Sequence, residues 1–241
     1  MTQPGRWRFF GGDHRNKYLD RFGILLVLTS ISVSVLSLID LDDPADNARS
    51  ELGWLVVSFS VGFSLLVALR ASGVTKRWQR IADVFIGIAL VTSVVSALLI
   101  QFADLPDMAG VGRPSVVWVA IAIVSPVVVL RRVLSQQVVT IETLWGAMSV
   151  FLLIAIAYNY VFIELQQFGS TPFFGVEEST TSFMYFSAVT ITTLGYGDLA
   201  PATDVGRFFA ITEAIIGQVF LVTIVARLVS LLSRRSASSN T

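Results

Sequence analysis

Long apolar runs separated by short charged segments dominate this chain of 241 residues. A helix needs about 20 apolar residues to cross a bilayer, with about 17 as the lower limit. The runs that meet this length are Phe22–Ile39, Leu52–Leu69, Val84–Ala103, Val111–Leu130, Thr143–Gln166 and Val205–Leu232. A further run, Glu178–Ile191, is too short to cross, and such a helix is tolerated at membrane depth when protein buries it. The pattern predicts an all-α integral membrane protein with six transmembrane helices and a re-entrant helix between helices five and six.

The composition agrees with a membrane protein. Hydrophobic residues make up 54% of the chain and charged residues 14%, against about 25% charged in ordinary globular proteins. Lys+Arg and Asp+Glu each number 17, and this balance argues against a nucleic-acid-binding protein. The absence of cysteine excludes disulfides and thiolate metal sites, and the single histidine, His14, lies in the polar N-terminal segment. Without an acid–base, nucleophile or zinc constellation, we predict neither an enzyme nor an organic substrate.

The charges between the runs orient the chain. With the N-terminus inside the cell, the inner segments hold most of the basic residues: Arg6, Arg8, Arg15, Lys17, Arg21, Arg70, Lys76, Arg77, Arg80, Arg131, Arg132, Arg227, Arg234 and Arg235. The outer loops are acidic: Asp40, Asp42, Asp43, Asp46, Glu51, Asp104, Asp107, Glu164, Glu177 and Glu178. Lys and Arg accumulate on the cytoplasmic side of membrane proteins. We therefore predict a multi-pass plasma-membrane protein with both termini cytoplasmic and the segment after Glu178–Ile191 at the outer face.

That segment is the filter stretch, Thr192-Thr193-Leu194-Gly195-Tyr196-Gly197-Asp198. Gly195 and Gly197 permit positive φ, and glycines at alternating positions allow successive carbonyls to turn to the same side. Rings of backbone carbonyls replace the hydration shell of the ion in potassium filters. The stretch resembles the signature of the potassium channel family, Thr-Val-Gly-Tyr-Gly followed by an acid, with Leu194 in place of the valine.

The resemblance implies how the filter stretch works. The carbonyls of Thr193, Leu194, Gly195 and Tyr196 would line the path of permeant K⁺ ions, and no other cofactor is implied. The Thr193 hydroxyl would add the innermost ring, and Gly197 would close the outer end. Thr192 and Asp198, which flank these residues, would support the filter. One filter stretch supplies a quarter of a four-fold ring, so we expect a homotetramer in the lipid bilayer.

The resemblance also divides the chain. Residues 1–21 would form a cytoplasmic tail, 22–132 a four-helix transmembrane domain, 133–235 the pore domain and 236–241 a second tail. The fourth helix occupies the position of a voltage sensor, which needs several arginines inside the membrane. Ser115–Leu130 contains none, and Arg131 and Arg132 follow at the inner end. We predict weak or no voltage dependence.

Two sets of residues around the filter carry further expectations. By the resemblance, Tyr185 and Phe186 occupy the positions of an aromatic cuff that packs behind Tyr196. Alternatively, the two rings are only interface anchors. Glu213 is a carboxyl group inside an apolar membrane run and hence a candidate functional residue. It either faces the re-entrant helix and bonds Thr190 or Thr192, or is a protonated structural residue.

The sixth helix carries the remaining candidates. Gly217 falls where many potassium channels have a gating-hinge glycine, but a glycine here also permits close helix packing. Gln218, Leu221 and Val225 would face the water-filled cavity under the filter, and Arg227 would snorkel toward the cytoplasm.

The leading interpretation is a potassium-selective channel. Its alternatives are a non-selective cation channel on the same scaffold and, in a different class, a potassium-uptake transporter subunit. Such subunits contain four degenerate pore repeats with a single glycine each, features that this chain lacks. A non-conducting membrane scaffold is the residual alternative. The gating stimulus does not follow from the sequence.

Overall fold

The computed structural model describes residues 20–39, 116–135 and 140–238, together with isolated helical positions between 56 and 95. The helices in these ranges are α1 (Asp20–Leu38), α2 (Val116–Ser135), α3 (Ile141–Phe168), α4 (Thr180–Ile191) and α5 (Asp204–Ser238). They correspond to the predicted first, fourth, fifth, re-entrant and sixth helices. No strand occurs in the described ranges, and the all-α prediction is confirmed there.

Parts of the prediction lie outside these residues. Most of the predicted second and third helices, Leu52–Leu69 and Val84–Ala103, is not described, although every described position within them is helical. The same holds for nearly all of the N-terminal tail. Two of the described helical segments, Ile141–Phe168 and Asp204–Arg227, are long and apolar enough to cross a membrane. The total of six crossings therefore stays a prediction.

Helix α3 is the centre of the fold and packs against α1, α2, α4 and α5. It begins at a capping box, in which Thr140 Oγ1 accepts the Thr143 N–H at 3.4 Å and the Thr143 hydroxyl accepts the Thr140 N–H at 3.3 Å. It ends at Gly169, whose N–H donates to the Leu165 carbonyl at 3.0 Å. Gly146 lets the neighbouring helices approach closely, since a Cβ there would lie 2.9 Å from the Val133 side chain of α2.

Helix α4 is the predicted re-entrant helix. Its 12 residues span about 18 Å at 1.5 Å per residue, well short of a hydrocarbon core of about 30 Å. Helix α4 packs against α1, α3 and α5. The filter stretch follows directly after Ile191, so the packing of α4 determines where the filter lies.

The neighbouring helices differ from their predicted ends. Helix α2 continues to Ser135 through Pro126, where hydropathy placed the end at Leu130. Helix α5 has 35 residues, about 52 Å, and extends beyond the predicted end at Leu232. Hydropathy marks where a helix leaves the hydrocarbon, whereas the backbone continues as a helix into the interface. At its other end, the Thr203 hydroxyl accepts the Gly206 N–H at 3.1 Å and caps α5.

Candidate functional site

The backbone of the filter stretch alternates in the sign of φ. Thr193 has φ +56°, Gly195 +56° and Gly197 +81°, while Leu194 and Tyr196 between them are not in the positive region. Positive φ at the two glycines agrees with the permissiveness on which the prediction rested. Thr193 continues the same alternation toward α4, although a β-branched residue rarely adopts positive φ. This alternation is the backbone pattern that the prediction of carbonyls turned to one side requires.

The hydrogen bonds of the filter stretch leave its carbonyls available. The N–H groups of Thr193 and Leu194 donate back to α4, to the Thr190 carbonyl at 2.9 Å and the Val189 carbonyl at 3.0 Å. Among the described residues, no hydrogen bond ends on a carbonyl of residues 193–197. Residues 192–198 are all exposed on the single chain. The stretch thus presents a row of unpaired carbonyls at the surface.

A stacked tyrosine pair and a hydrogen bond connect α4 to the C-terminal end of the filter stretch. The rings of Tyr185 and Tyr196 lie parallel within 3°, with centroids 6.4 Å apart. The Tyr185 hydroxyl donates to Asp198 Oδ2 at 2.7 Å. This hydrogen bond raises the pKa of Tyr185 to about 12 and lowers the pKa of Asp198 below its ordinary value. Asp198 is therefore a carboxylate and Tyr185 a protonated donor across the neutral range.

Phe186 does not join this pair within the chain, and its role in an aromatic cuff stays a prediction. Its ring faces α3 and contacts Phe162 edge-on at 5.2 Å between centroids. It belongs to a phenylalanine cluster under the loop that precedes α4: Phe162, Phe173, Phe174, Phe183 and Phe186. Phe162 and Phe173 are almost completely buried. Adjacent positions on a helix are rotated by about 100°, and within one chain Tyr185 and Phe186 accordingly have different neighbours.

Glu213 faces α4, as one of its two predicted alternatives requires, but its partner is Ser187. Its side chain is fully buried, and Oε1 lies 2.5 Å from the Ser187 hydroxyl oxygen. The same hydroxyl lies 2.8 Å from the Ala155 carbonyl of α3. Thr192, one of the predicted partners, donates instead to the Ala188 carbonyl at 2.6 Å. The group therefore links α3, α4 and α5.

Gly217 lies one turn further along α5 and touches the last residue of α4. A Cβ at Gly217 would lie 2.6 Å from Ile191 Cγ1 and 2.8 Å from the Ile191 carbonyl oxygen. The close-packing alternative therefore has a structural basis, and α5 is helical on both sides of Gly217. The hinge role stays a prediction.

The predicted cavity residues lie on a different face of α5. Gln218, Leu221 and Val225 are exposed, whereas the face against α4 is buried. Their exposure is compatible with a water-filled cavity. Arg227, expected to snorkel, instead donates a hydrogen bond to the Leu134 carbonyl near the end of α2.

Two functional features went unrecognised in the sequence. Ser187 is one of several hydroxyl-bearing residues of α4, and its spacing to Glu213 gives no local signal because the partners lie on different helices. The positive φ of Thr193 has a weak signal, since it continues the every-second-residue spacing of Gly195 and Gly197.

Comparisons with known proteins agree with this geometry. The ion channel family model matches residues 139–234, from the start of α3 into the last turns of α5. Protein LctB of Bacillus caldotenax is 28% identical over 106 residues, which cover 41% of this chain and 78% of that protein. The human voltage-gated delayed rectifier potassium channel KCNH5 is 30% identical over 59 residues, 24% of this chain and 6% of that channel. No solved structure matches the chain significantly. The matches indicate a channel rather than an enzyme.

Proposed function

Because residues 139–234 form a domain of the ion channel family, which confirms the resemblance noted in the sequence, we propose that this chain is a potassium-selective channel. The observation that carries the proposal is the alternating backbone of residues 193–197, whose carbonyls have no hydrogen-bond partner among the described residues. The Gly-Tyr-Gly sequence favours potassium selectivity over the non-selective alternative.

Conduction follows from the free carbonyls. An ion that enters a low-dielectric environment without compensation loses tens of kcal/mol of hydration, so dense oxygen ligands must replace the water. The carbonyls of Thr193, Leu194, Gly195 and Tyr196 supply these ligands, with the Thr193 hydroxyl at the inner end. Successive rings form adjacent sites, and repulsion between neighbouring ions keeps each site from holding its ion too tightly. Gly197 closes the row on the outside.

The proposed channel is a homotetramer in the plasma membrane. One chain offers one row of carbonyls, and four rows are needed to surround an ion. Exposure of residues 192–198 on a single chain supports assembly around these residues. The exposure of α5 also supports assembly, because 22% of its most apolar segment is buried in the single chain, against 72% for α3. Lipid and neighbouring copies would cover the remaining surface.

Voltage has little or no effect on the proposed channel. Val116–Ser135 is the helix in the sensor position, and its arginines, Arg131 and Arg132, lie near its C-terminal end. A sensor requires several charges distributed through the membrane, since each elementary charge gains about 2.3 kcal/mol per 100 mV. The distant similarity to a voltage-gated channel covers 59 residues, too few to extend over both a sensor and a pore.

Reconstitution in liposomes tests the proposal. With potassium on one side and sodium on the other, the reversal potential should follow the potassium gradient. A reversal potential at zero would favour the non-selective alternative. Tyr196→Ala serves as the matched variant, and it should insert into the membrane but lose selectivity or current. Voltage steps on the same sample should give no steep activation curve.

A further inference from the structure

The contact between Glu213 and Ser187 contains more acceptors than hydrogens if the carboxyl group is ionised. Ser187 Oγ lies 2.5 Å from Glu213 Oε1 and 2.8 Å from the Ala155 carbonyl oxygen. Both distances are hydrogen-bond lengths, and a serine hydroxyl has one hydrogen to donate. The Ala155 carbonyl can only accept. A second hydrogen must therefore lie between Ser187 and Glu213.

The surroundings of Glu213 agree with a neutral acid. The side chain is fully buried about 14 Å along α5 from its first residue, inside the apolar span. Its second oxygen, Oε2, has no hydrogen-bond partner in the described part of the chain. No ion pair of Glu213 occurs in that part of the chain. Arg207, the nearest arginine along α5, is exposed and pairs with Asp204 at 3.9 Å. An ionised carboxylate would lack compensation at this depth.

We propose that Glu213 carries a proton, donates it as a hydrogen bond to Ser187, and so acts as a positioning residue that ties α5 to the helix beneath the filter. Ser187 in turn donates its own hydrogen to the Ala155 carbonyl of α3. The chain of donors runs from α5 through α4 to α3. Every hydrogen then has an acceptor, and no charge is buried.

The register of α4 against α5 connects this group to the filter. Ser187 contacts Glu213 and Ile191 contacts Gly217, so the contacts are four residues apart on both helices. Four residues are about one helical turn, and the helices therefore run in the same direction here. A displacement of α5 along α4 would break both contacts together. The turn of α4 between these two contacts contains the Val189 and Thr190 carbonyls, which accept the N–H groups of residues 194 and 193.

Infrared spectroscopy of the reconstituted protein tests the proton. The wild type minus Glu213→Gln difference should contain the carbonyl stretch of a protonated carboxylic acid. Ser187→Ala should shift this band, because the acid loses its acceptor. The matched control is the exposed pair at the start of α4, where Ser182 donates to Glu178 in the preceding loop at 2.9 Å. Glu178→Gln should leave the acid band unchanged. A carboxylate band in the first difference, or an unshifted acid band in Ser187→Ala, would overturn the assignment.

Ion flux tests the positioning role, which rests on the proposed function. A glutamine at 213 retains a donor for Ser187, so Glu213→Gln should keep the potassium reversal potential and most of the flux. Glu213→Leu has no donor, and its flux should fall about tenfold or more, the effect expected for a lost buried hydrogen-bond partner. If Glu213→Leu does not assemble, Ser187→Ala provides the smaller change, with Ser182→Ala as its control.

The outcomes separate the two proposals. Wild-type flux and reversal potential in Ser187→Ala, or in an assembled Glu213→Leu, would refute the positioning role. A wild-type protein without potassium selectivity would refute the proposed function instead, and the infrared assignment of the proton would be unaffected because it needs no conduction.

Discussion

Replacement of Gly217 by alanine should loosen the support of the filter. The new methyl group would lie 2.6 Å from Ile191 Cγ1 and 2.8 Å from the Ile191 carbonyl oxygen, where carbon contacts are normally about 3.5–4.0 Å. Overpacking of this kind costs about 1–3 kcal/mol, and the better helix propensity of alanine offsets about 1 kcal/mol. The net decrease in the free energy of unfolding then lies between about 0 and 2 kcal/mol per chain. We expect about 2 kcal/mol, because one of the two clashes involves a backbone atom, which cannot move aside easily.

The neighbour at position 191 separates packing from hinge motion. Ile191→Ala removes Cγ1, the closer of the two clashing atoms, so Gly217→Ala should cost less in that background. The difference is a coupling energy, expected at about 0.5–3 kcal/mol for residues in contact. If Gly217 instead acts as a flexible hinge, Gly217→Ala removes the same backbone freedom whether residue 191 is isoleucine or alanine. The hinge interpretation therefore predicts a coupling near zero.

Thermal unfolding in detergent and potassium flux in liposomes measure the effect. Gly87→Ala is the matched control, because Gly87 is also helical and a Cβ there would meet nothing within 4 Å. It should be neutral or stabilise the protein by up to about 1 kcal/mol. Wild-type stability in Gly217→Ala, or an equal loss in both Ile191 backgrounds, would refute the packing argument.

Three further changes have defined outcomes. Gly197→Ala places a side chain at φ +81°, and liposome reversal potentials should move toward zero; an unchanged potassium reversal potential would contradict this. Tyr185→Phe removes the donor that lowers the pKa of Asp198, so this pKa should rise toward its ordinary value. On acidification, the variant should then lose current at a higher pH than the wild type, and the same pH dependence of current in both proteins would contradict this. Phe173→Ala should reduce the free energy of unfolding by about 3–5 kcal/mol, whereas the exposed Val176→Ala should change it by less than about 0.5 kcal/mol.

The local features of the pore region were predictable from the sequence. The predicted spans Phe22–Ile39 and Thr143–Gln166 closely match Asp20–Leu38 and Ile141–Phe168. The helix that was predicted to be re-entrant likewise ends at Ile191 as expected. Apolar length determines where a chain can cross a bilayer, so these limits follow from composition along the chain. The glycines at 195 and 197 similarly indicated positive φ, because that property belongs to the residue itself.

Contacts between helices were not predictable in the same way. Glu213 was expected at Thr190 or Thr192, but its partner is Ser187. The choice depends on the rotation of α5 about its axis, and an almost wholly apolar helix has no polar face that reports this rotation. The packing of Phe186 among the phenylalanines was not predictable either, because the sequence does not indicate which side of α4 faces α3.

The α5 helix assigns separate tasks to its two faces. Glu213, Gly217, Phe220 and Ile224 recur at intervals of four and three residues, and all are buried. The first two contact α4, so substitutions on this stripe act on the filter through its supporting helix. Leu221 and Val225 are exposed beside it and have no such route. If the latter line the proposed cavity, their substitution changes conductance while potassium selectivity is retained, whereas loss of the Glu213 or Gly217 contact impairs selectivity itself. In the proposed channel, the position of the filter would therefore depend on the contact between α4 and α5.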